Sequence, residues 1–323
     1  MKIVITGSLG NISHPLAKEL VQKGHDVTVI STKSDKVKSI EEIGATAAIG
    51  TLEDTTFLAR TFDGADAVYC MLPPFNYLDP NLDFMEATRQ LMNNYKAAIL
   101  QSGVRHVVHL SSVGAHMESG NGVLRFHYLA EQILRSIPAP VTVTHIRPVG
   151  FYNNFYNFID LIKGNGFLGR LLALRFYGLW SMLTGKTGII LSNYGGSDQS
   201  TMVSPMDIAA AIVEELTARS PDERKVRYVV SDEITCKDAA TILGAAIGKP
   251  YLKWERVSDK QMLSSLKSFH IPPHIAKELV EMNAGIRTGI IYEDYRCHKP
   301  TKFGKVKMVD FANEFNLVYQ QKA

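Results

Sequence analysis

Cysteine is scarce in this chain of 323 residues: Cys70, Cys236 and Cys297 lie far apart, with no CxxC between them. That excludes a disulfide-stapled secreted scaffold and a cysteine zinc site, and it suits a reducing compartment. An excess of one charge is also missing. The net charge is only +3 and the Lys and Arg residues are scattered, so no basic face is offered to nucleic acid. No apolar run reaches the roughly 18 uncharged residues of a spanning helix. Residues 1–13 have neither the charged start nor the long apolar centre of a signal peptide, so the expected location is cytoplasmic. Internal repeats, low-complexity tracts, a GxSxG elbow and a Cys-His pair are absent too. Metal ligation finds no support. His106 and His109 are three apart on one strand and point to opposite faces, and HIPPH (270–274) has no third ligand.

What is present is an alternation of strands and helices. Lys2–Thr6 is a β-branched strand, and His14–Lys23 carries Leu16, Ala17, Leu20 and Val21 at helical spacing, stopped by Gly24. Asp26–Ile30, Ala47–Ile49, Ala67–Leu72 and Val107–Leu110 read as further strands, with helices over Lys36–Ile43 and 84–102 between them. This order predicts an α/β fold with a doubly wound parallel sheet. Runs such as VTVI and AVYCML have the continuous apolar character of strands covered on both faces. Ligands of such sheets sit outside the carboxyl ends of the strands, where the loops at 7–13, 31–36, 50–53, 71–77, 111–116 and 147–154 converge. After Phe151 the pattern becomes aromatic and Leu-rich, then returns to a helix at Met206–Ala218, a strand at Arg227–Val230 and a helix at Cys236–Ile247. The expected division is a nucleotide-binding unit over 1–154 and a smaller, partly interleaved α/β substrate region over 155–323.

The stretch TGSLGNIS (6–13) follows a strand and opens a helix, the context a pyrophosphate turn requires. Gly7 permits the sharp turn, Gly10 lets the backbone approach a diphosphate, and Ser13 is compact enough for helix and strand to pack closely. The spacing is GxxGxxS rather than GxGxxG. At the end of the second strand, an NAD site places an acid for the ribose 2′-hydroxyl. Here Ser31-Thr32-Lys33 stands instead, which favours NADP(H) over NAD(H), with Lys33 either reading a 2′-phosphate or lying as a solvated surface charge.

With Gly7–Ser13, Gly50-Thr51-Leu52-Glu53-Asp54, Met71–Pro74, HLSSVGA (109–115) and HIRPVGFYNNF (145–155) in order, the chain resembles the NmrA-like family of atypical short-chain dehydrogenase/reductases. The stretches DIAAAI (207–212) and KDAATILGAAIGKP (237–250) extend the resemblance through most of the chain. It implies a Rossmann fold and an NAD(P) site. By position, Gly7, Leu9, Gly10, Asn11 and Ile12 are implied to hold the pyrophosphate, and Ser31, Thr32 and Lys33 to read the ribose. Thr51 and Leu52 are implied to flank adenine, Met71, Leu72 and Pro73 to line the ribose side, and Pro148, Val149, Gly150 and Phe151 the nicotinamide side.

The reductase chemistry of such folds usually rests on YxxxK, whose Lys lowers the pKa of the Tyr proton donor. That pair is missing: four residues after Tyr128 stands Gln132. Where relatives carry a Lys followed by Glu, this chain has His127 and Glu131, one helical turn apart and able to meet. His127 is either a surface partner of Glu131, a ligand of the nicotinamide ribose, or a proton source near neutral pH. Ser111 and Ser112 either cap a turn or bond a substrate oxygen. Tyr152, Asn153 and Asn154 are placed to face a substrate pocket, and GRLLALRFYGLWSML (169–183) reads as core, lid, partner helix or membrane-surface helix. Two functions follow. One is an NADPH-dependent reductase of a small apolar quinone or carbonyl compound, with Ser112 and His127 as its candidate catalytic residues. The other is an NAD(P) sensor that acts through a protein partner without turnover; an epimerase ranks third because it needs the same Tyr and Lys.

Overall fold

Seven short strands rich in β-branched and small apolar residues pair into one fully parallel sheet. The computed structural model of the chain describes residues 1–164, 188–218 and 225–322. The segment 169–183 therefore lies outside the described residues. In chain order the first strands are β1 (Lys2–Ile5), β2 (Asp26–Ser31), β3 (Thr46–Ile49), β4 (Ala67–Cys70), β5 (His106–Leu110) and β6 (Thr142–Pro148). There follow β7 (Gly150–Phe151), β8 (Ile189–Ser192) and β9 (Gln199–Val203), and then β10 (Lys225–Val229), which returns to pair in parallel with β6. The order across the sheet is β10-β6-β5-β4-β1-β2-β3, so the doubly wound arrangement expected from the strand and helix alternation is the one observed. Its last strand comes from well beyond residue 154.

Helices cover both faces, which is why β4 and β5 are buried along their whole length. On one face lie Leu16, Ala17 and Leu20 of α1 (Ser13–Gln22), with Ile208, Ala211 and Ile212 of the helix Pro205–Leu216. After α2 (Val37–Glu42), the other face is covered by α3 (Thr55–Phe62), α4 (Phe84–Ser102) and α5 (Arg125–Arg135), through Phe62, Met92, Tyr95 and Ala130. Helix boundaries have local causes. Asp54 accepts from the Phe57 N–H and Asp83 from those of Met85 and Glu86, each cap supporting its helix by about 1 kcal/mol.

The remainder builds a smaller unit beside the carboxyl ends of the central strands. Two small sheets, β7-β9-β11 (Asp232–Thr235) and β8-β12 (Lys253–Arg256), pack with α6 (Ile159–Lys163) and the helices Cys236–Ala246 and Met308–Gln321. Phe155, Trp254, Phe311 and Phe315 form its core. The helix Pro273–Thr288 closes the structure over the loop at 120–124. Gly122 sits at φ +57°, and a Cβ there would lie 2.0 Å from the Glu278 carbonyl oxygen. Only glycine lets that helix lie against the loop. No helix among the described residues is long and apolar enough to cross a membrane.

Two histidines face each other inside the sheet. His109 of β5 and His145 of β6 are register partners, buried, with their Nδ1 atoms 3.1 Å apart. One Nδ1–H must donate to the other, so the two rings hold opposite tautomers. Burial pushes His109 down to about 4 and His145 to about 3, from an ordinary value of 6.5. Both are neutral in the fold, whereas the unfolded chain takes up protons first as the pH drops. Their contribution to stability is complete above pH 6.5 and is lost as the pH falls towards 4. Thermal melting is therefore expected to decline below pH 6.5, ahead of carboxylate titration, and to decline less in a His109→Leu/His145→Leu double variant. Parallel melting curves for the two proteins would show that the pair is not the source.

Candidate functional site

The turn after β1 is built by steric demand. Gly7 has φ +90°, and a Cβ there would come within 2.4 Å of Met71 Sδ and 2.6 Å of Ser13 Oγ. Ser8 follows at φ +52°, fixed by its N–H to the Ile30 carbonyl and by donation of its Oγ–H to Ser31 Oγ at 3.0 Å. The Gly10 N–H then bonds back to the Gly7 carbonyl, and Ser13 Oγ donates to the Thr6 carbonyl. The result brings the start of α1 to the rim of the sheet, and no side chain caps its first turn. The N–H groups of Asn11, Ile12 and Ser13, without an acceptor among the described residues, and the positive end of the helix dipole thus border the space above β1 and β4.

That space is one cavity of about 820 Å³. It begins at Gly7, Gly10, Asn11 and Ile12, passes Ser31, Thr32 and Leu52 on one side and Met71, Leu72 and Pro73 below, and runs over Ser111 and Ser112 to His127. It continues past Val149, Gly150, Phe151 and Asn154 into an aromatic compartment of Phe155, Phe158, Tyr194, Trp254 and Tyr292. There Trp254 packs against Tyr194 with ring centroids 5.2 Å apart and donates its indole N–H to the Tyr194 carbonyl. Phe75 and Phe126, at 5.2 Å edge to face, form a second aromatic wall. Among the described lining residues there is no Asp, Glu, Lys or Arg.

The sequence pointed to several residues that the fold places elsewhere. Leu9 packs against the core, Pro148 is buried in β6, and Thr51 and Lys33 are exposed without lining the cavity. Lys33 precedes a short 3₁₀ turn, Ser34–Lys36, at the mouth near Thr32. Tyr152 corrects the expectation of a substrate-facing ring. It is wholly buried, stacks on Phe311 at 5.0 Å, and donates its hydroxyl to Asp232 at 2.6 Å. Asn153 does not line the cavity either, while its neighbour Asn154 does. Conversely, Tyr194, Trp254, Met282, Asn283, Ile286 and Tyr292 were not singled out by motif or spacing, because folding over the C-terminal half alone brings them to the rim.

The pairing of His127 with Glu131 is also corrected. Glu131, only 1% exposed, receives Ser111 Oγ–H at 2.6 Å and Arg147 Nε–H at 2.8 Å on Oε1. On Oε2 it receives Arg147 at 2.7 Å and Arg135 at 2.7 Å. Burial alone would raise this carboxyl, but the Arg147 hydrogen bonds, the nearby His145, the Arg147 charge and the Ser111 hydrogen bond together outweigh it and bring it to about 2. Arg147 in turn donates to Tyr228 and Asp294. His127 is left with Nδ1 sealed from water and unpartnered. Burial, with the nearby His109 adding to it, lowers His127 to about 3, so near pH 7 it is a neutral imidazole and not a reserve of protons. Tyr128 and Gln132, at the positions of the missing YxxxK, face a separate crevice of about 230 Å³ with His116 and Arg135.

Comparison with known proteins follows the same outline. The NADPH-dependent quinone oxidoreductase of Escherichia coli, solved with NADPH, superposes with a TM-score of 0.71 at 18% identity, covering 97% of this chain and 99% of that one. The triphenylmethane reductase of Citrobacter sp., solved with NADP(H), gives 0.70 at 18% over the same shares, and a nucleoside-diphosphate-sugar epimerase of Staphylococcus aureus 0.70 at 13%, covering 97% and 100%. Two curated proteins of Arabidopsis thaliana are similar over shorter stretches. One is a probable pinoresinol-lariciresinol reductase, 31% identical over 84 residues, 25% of this chain. The other is an anthocyanidin reductase, 24% identical over 136 residues, 38% of this chain. The matched stretches span 28% and 40% of those two proteins. The profile of the NmrA-like family matches residues 1–294.

Tyr152→Phe tests the correction above. It removes a hydroxyl bonded to a carboxylate that also receives the Met308 N–H, and is expected to lower stability by about 1–2 kcal/mol. Denaturant unfolding and ligand titration of the variant should show that loss with ligand affinity unchanged.

Proposed function

The chain belongs to the NmrA-like family, and from that premise we propose that it is an NADPH-dependent reductase of a small, uncharged, apolar quinone or carbonyl compound. The observation that carries the proposal is the continuous cavity running from the glycine turn and the uncapped start of α1 to an aromatic compartment with no charged side chain among its described lining residues. The first end fits a dinucleotide diphosphate: a turn that only a glycine at 7 can make, since a Cβ there would collide with Met71 and Ser13, with backbone N–H groups in place of cations. Gly7, Gly10, Asn11 and Ile12 hold the diphosphate. Ser31 and Thr32 offer hydroxyls rather than an acid to the adenosine ribose, with Lys33 at the mouth for a 2′-phosphate. Val149, Gly150, Phe151 and the neutral His127 border the nicotinamide end.

When bound, the cofactor supplies a hydride. The protein supplies position, an apolar surface and, at the turn after β5, the free hydroxyl donor of Ser112. A quinone that has accepted the hydride needs one further proton to become a hydroquinone, and water can supply it, so a missing tyrosine donor does not stop the reaction. Uncharged walls also argue against a sugar nucleotide as substrate, despite the shared fold with epimerases. Such a substrate brings a second diphosphate, and the described walls offer it no Arg or Lys. The three free cysteines suit a reducing cytoplasm. One observation favours a second reading, an NAD(P) sensor acting through a protein partner: Tyr128 and Gln132 face away from the cavity and provide no proton donor.

Titration with NADPH and NADH, followed by NADPH oxidation with a panel of quinones and enones, tests the proposal; tight binding without turnover would transfer it to the sensor. Gly10→Asp sets a carboxylate against the diphosphate and is expected to weaken NADPH by at least about tenfold. Lys33→Ala is expected to weaken NADPH by about tenfold and NADH hardly at all. Equal losses for the two cofactors would show that Lys33 does not read the 2′-phosphate.

A further inference from the structure

The two serines of the turn after β5 are not equivalent, and the difference lies in one proton. Glu131 is ionised, and a carboxylate only accepts hydrogen bonds, with about four lone-pair sites. All four are filled, by Ser111, by Arg147 twice and by Arg135. In the 2.6 Å contact the hydroxyl proton must therefore belong to Ser111 and point at Glu131. Ser111 has no second proton. It nevertheless borders the cavity with 2% of its surface exposed, and any part of its hydroxyl that a ligand meets there is lone pairs. Ser112 lines the cavity as well, and its hydroxyl has no partner among the described residues, so its proton is free.

We infer that Ser111 acts in this cavity as a hydrogen-bond acceptor only, recognising a neutral N–H or O–H group on a bound ligand, while Ser112 is the donor of the turn. The inference rests on the reading of the cavity as a cofactor and substrate site, and it gives that site a polarity. A carbonyl oxygen beside Ser111 meets lone pairs and is repelled. A carbonyl oxygen beside Ser112 is bonded. A ligand seated on both therefore presents a donor and an acceptor side by side. Glu131 is the positioning residue that sets this pattern, itself held by Arg147. Two ligands carry the neutral donor required: the carboxamide of a nicotinamide and the hydroxyl of a hydroxylated carbonyl substrate.

Calorimetric titration of the full chain distinguishes these sources. One arm compares NADP⁺ with its acetylpyridine analogue, in which a methyl replaces the carboxamide NH₂. The other, with NADP⁺ saturating, compares 3-hydroxyacetophenone, whose hydroxyl cannot reach its own carbonyl, with its methyl ether. In one arm the wild type is expected to prefer the donor-bearing ligand by about tenfold. Ser111→Ala should reduce that preference to within about twofold, because an alanine accepts nothing. The arm that moves identifies the source of the donor. Equal affinities within both pairs in the wild type overturn the inference, even if the variant fails to fold, as does a preference that survives Ser111→Ala. Both arms read binding, so failure to oxidise NADPH with any quinone removes the reductase proposal alone. Failure to bind NADP⁺ at all removes both.

Discussion

A carboxylate withdrawn from water can remain ionised only where donors replace the water. Glu131 meets that condition completely, and much of the site is arranged by it. Its partners come from β5 through Ser111, from α5 through Arg135 and from β6 through Arg147, and Arg147 reaches on to Tyr228 in β10 and Asp294 near the C-terminal half. Removing any one partner leaves a buried charge short of a bond, so these segments keep a common register. The turn bearing Ser111 and Ser112, the floor of the cavity, is held to the frame by this charge.

The cavity itself follows the opposite rule. Its described walls carry no formal charge, and its polarity comes from backbone N–H groups, hydroxyls, amides and one neutral imidazole. Fixed dipoles bind an anion at the glycine turn without placing a cation where an apolar ring must slide past. The aromatic compartment beyond gives planar surface and little hydrogen bonding. A charged, phosphate-bearing substrate finds no counterion there, whereas an uncharged ring system finds extensive contact. Burial keeps His127 neutral, which makes it a hydrogen-bonding wall and not an acid.

The parts that were legible in the sequence are those whose cause is local. Strand runs such as VTVI, the helix at 84–102 and the turn at 7–13 depend on neighbours within a few residues, and the fold has all of them. The glycines fit for the same reason, because the left-handed backbone of Gly7 is demanded by the tight turn closed between Gly7 and Gly10. Tyr152 shows where this reasoning ends. It stands one residue after a lining phenylalanine, yet its hydroxyl bonds Asp232, 80 residues away, and its ring packs inward on Phe311. Likewise helical spacing offers His127 as one partner for Glu131, whereas the fold gives it Arg147 from β6.

The sequence by itself determined the alternating layers, the parallel sheet and the glycine turn after β1, since periodicity and turn chemistry act over short stretches of chain. Only the tertiary structure decided which residues wall the far end of the cavity, which serine keeps its proton, and which carboxylate remains charged inside the protein. Those outcomes depend on groups far apart in the chain competing for the same hydrogen bonds in a space without water. That competition is settled by where the folded elements meet.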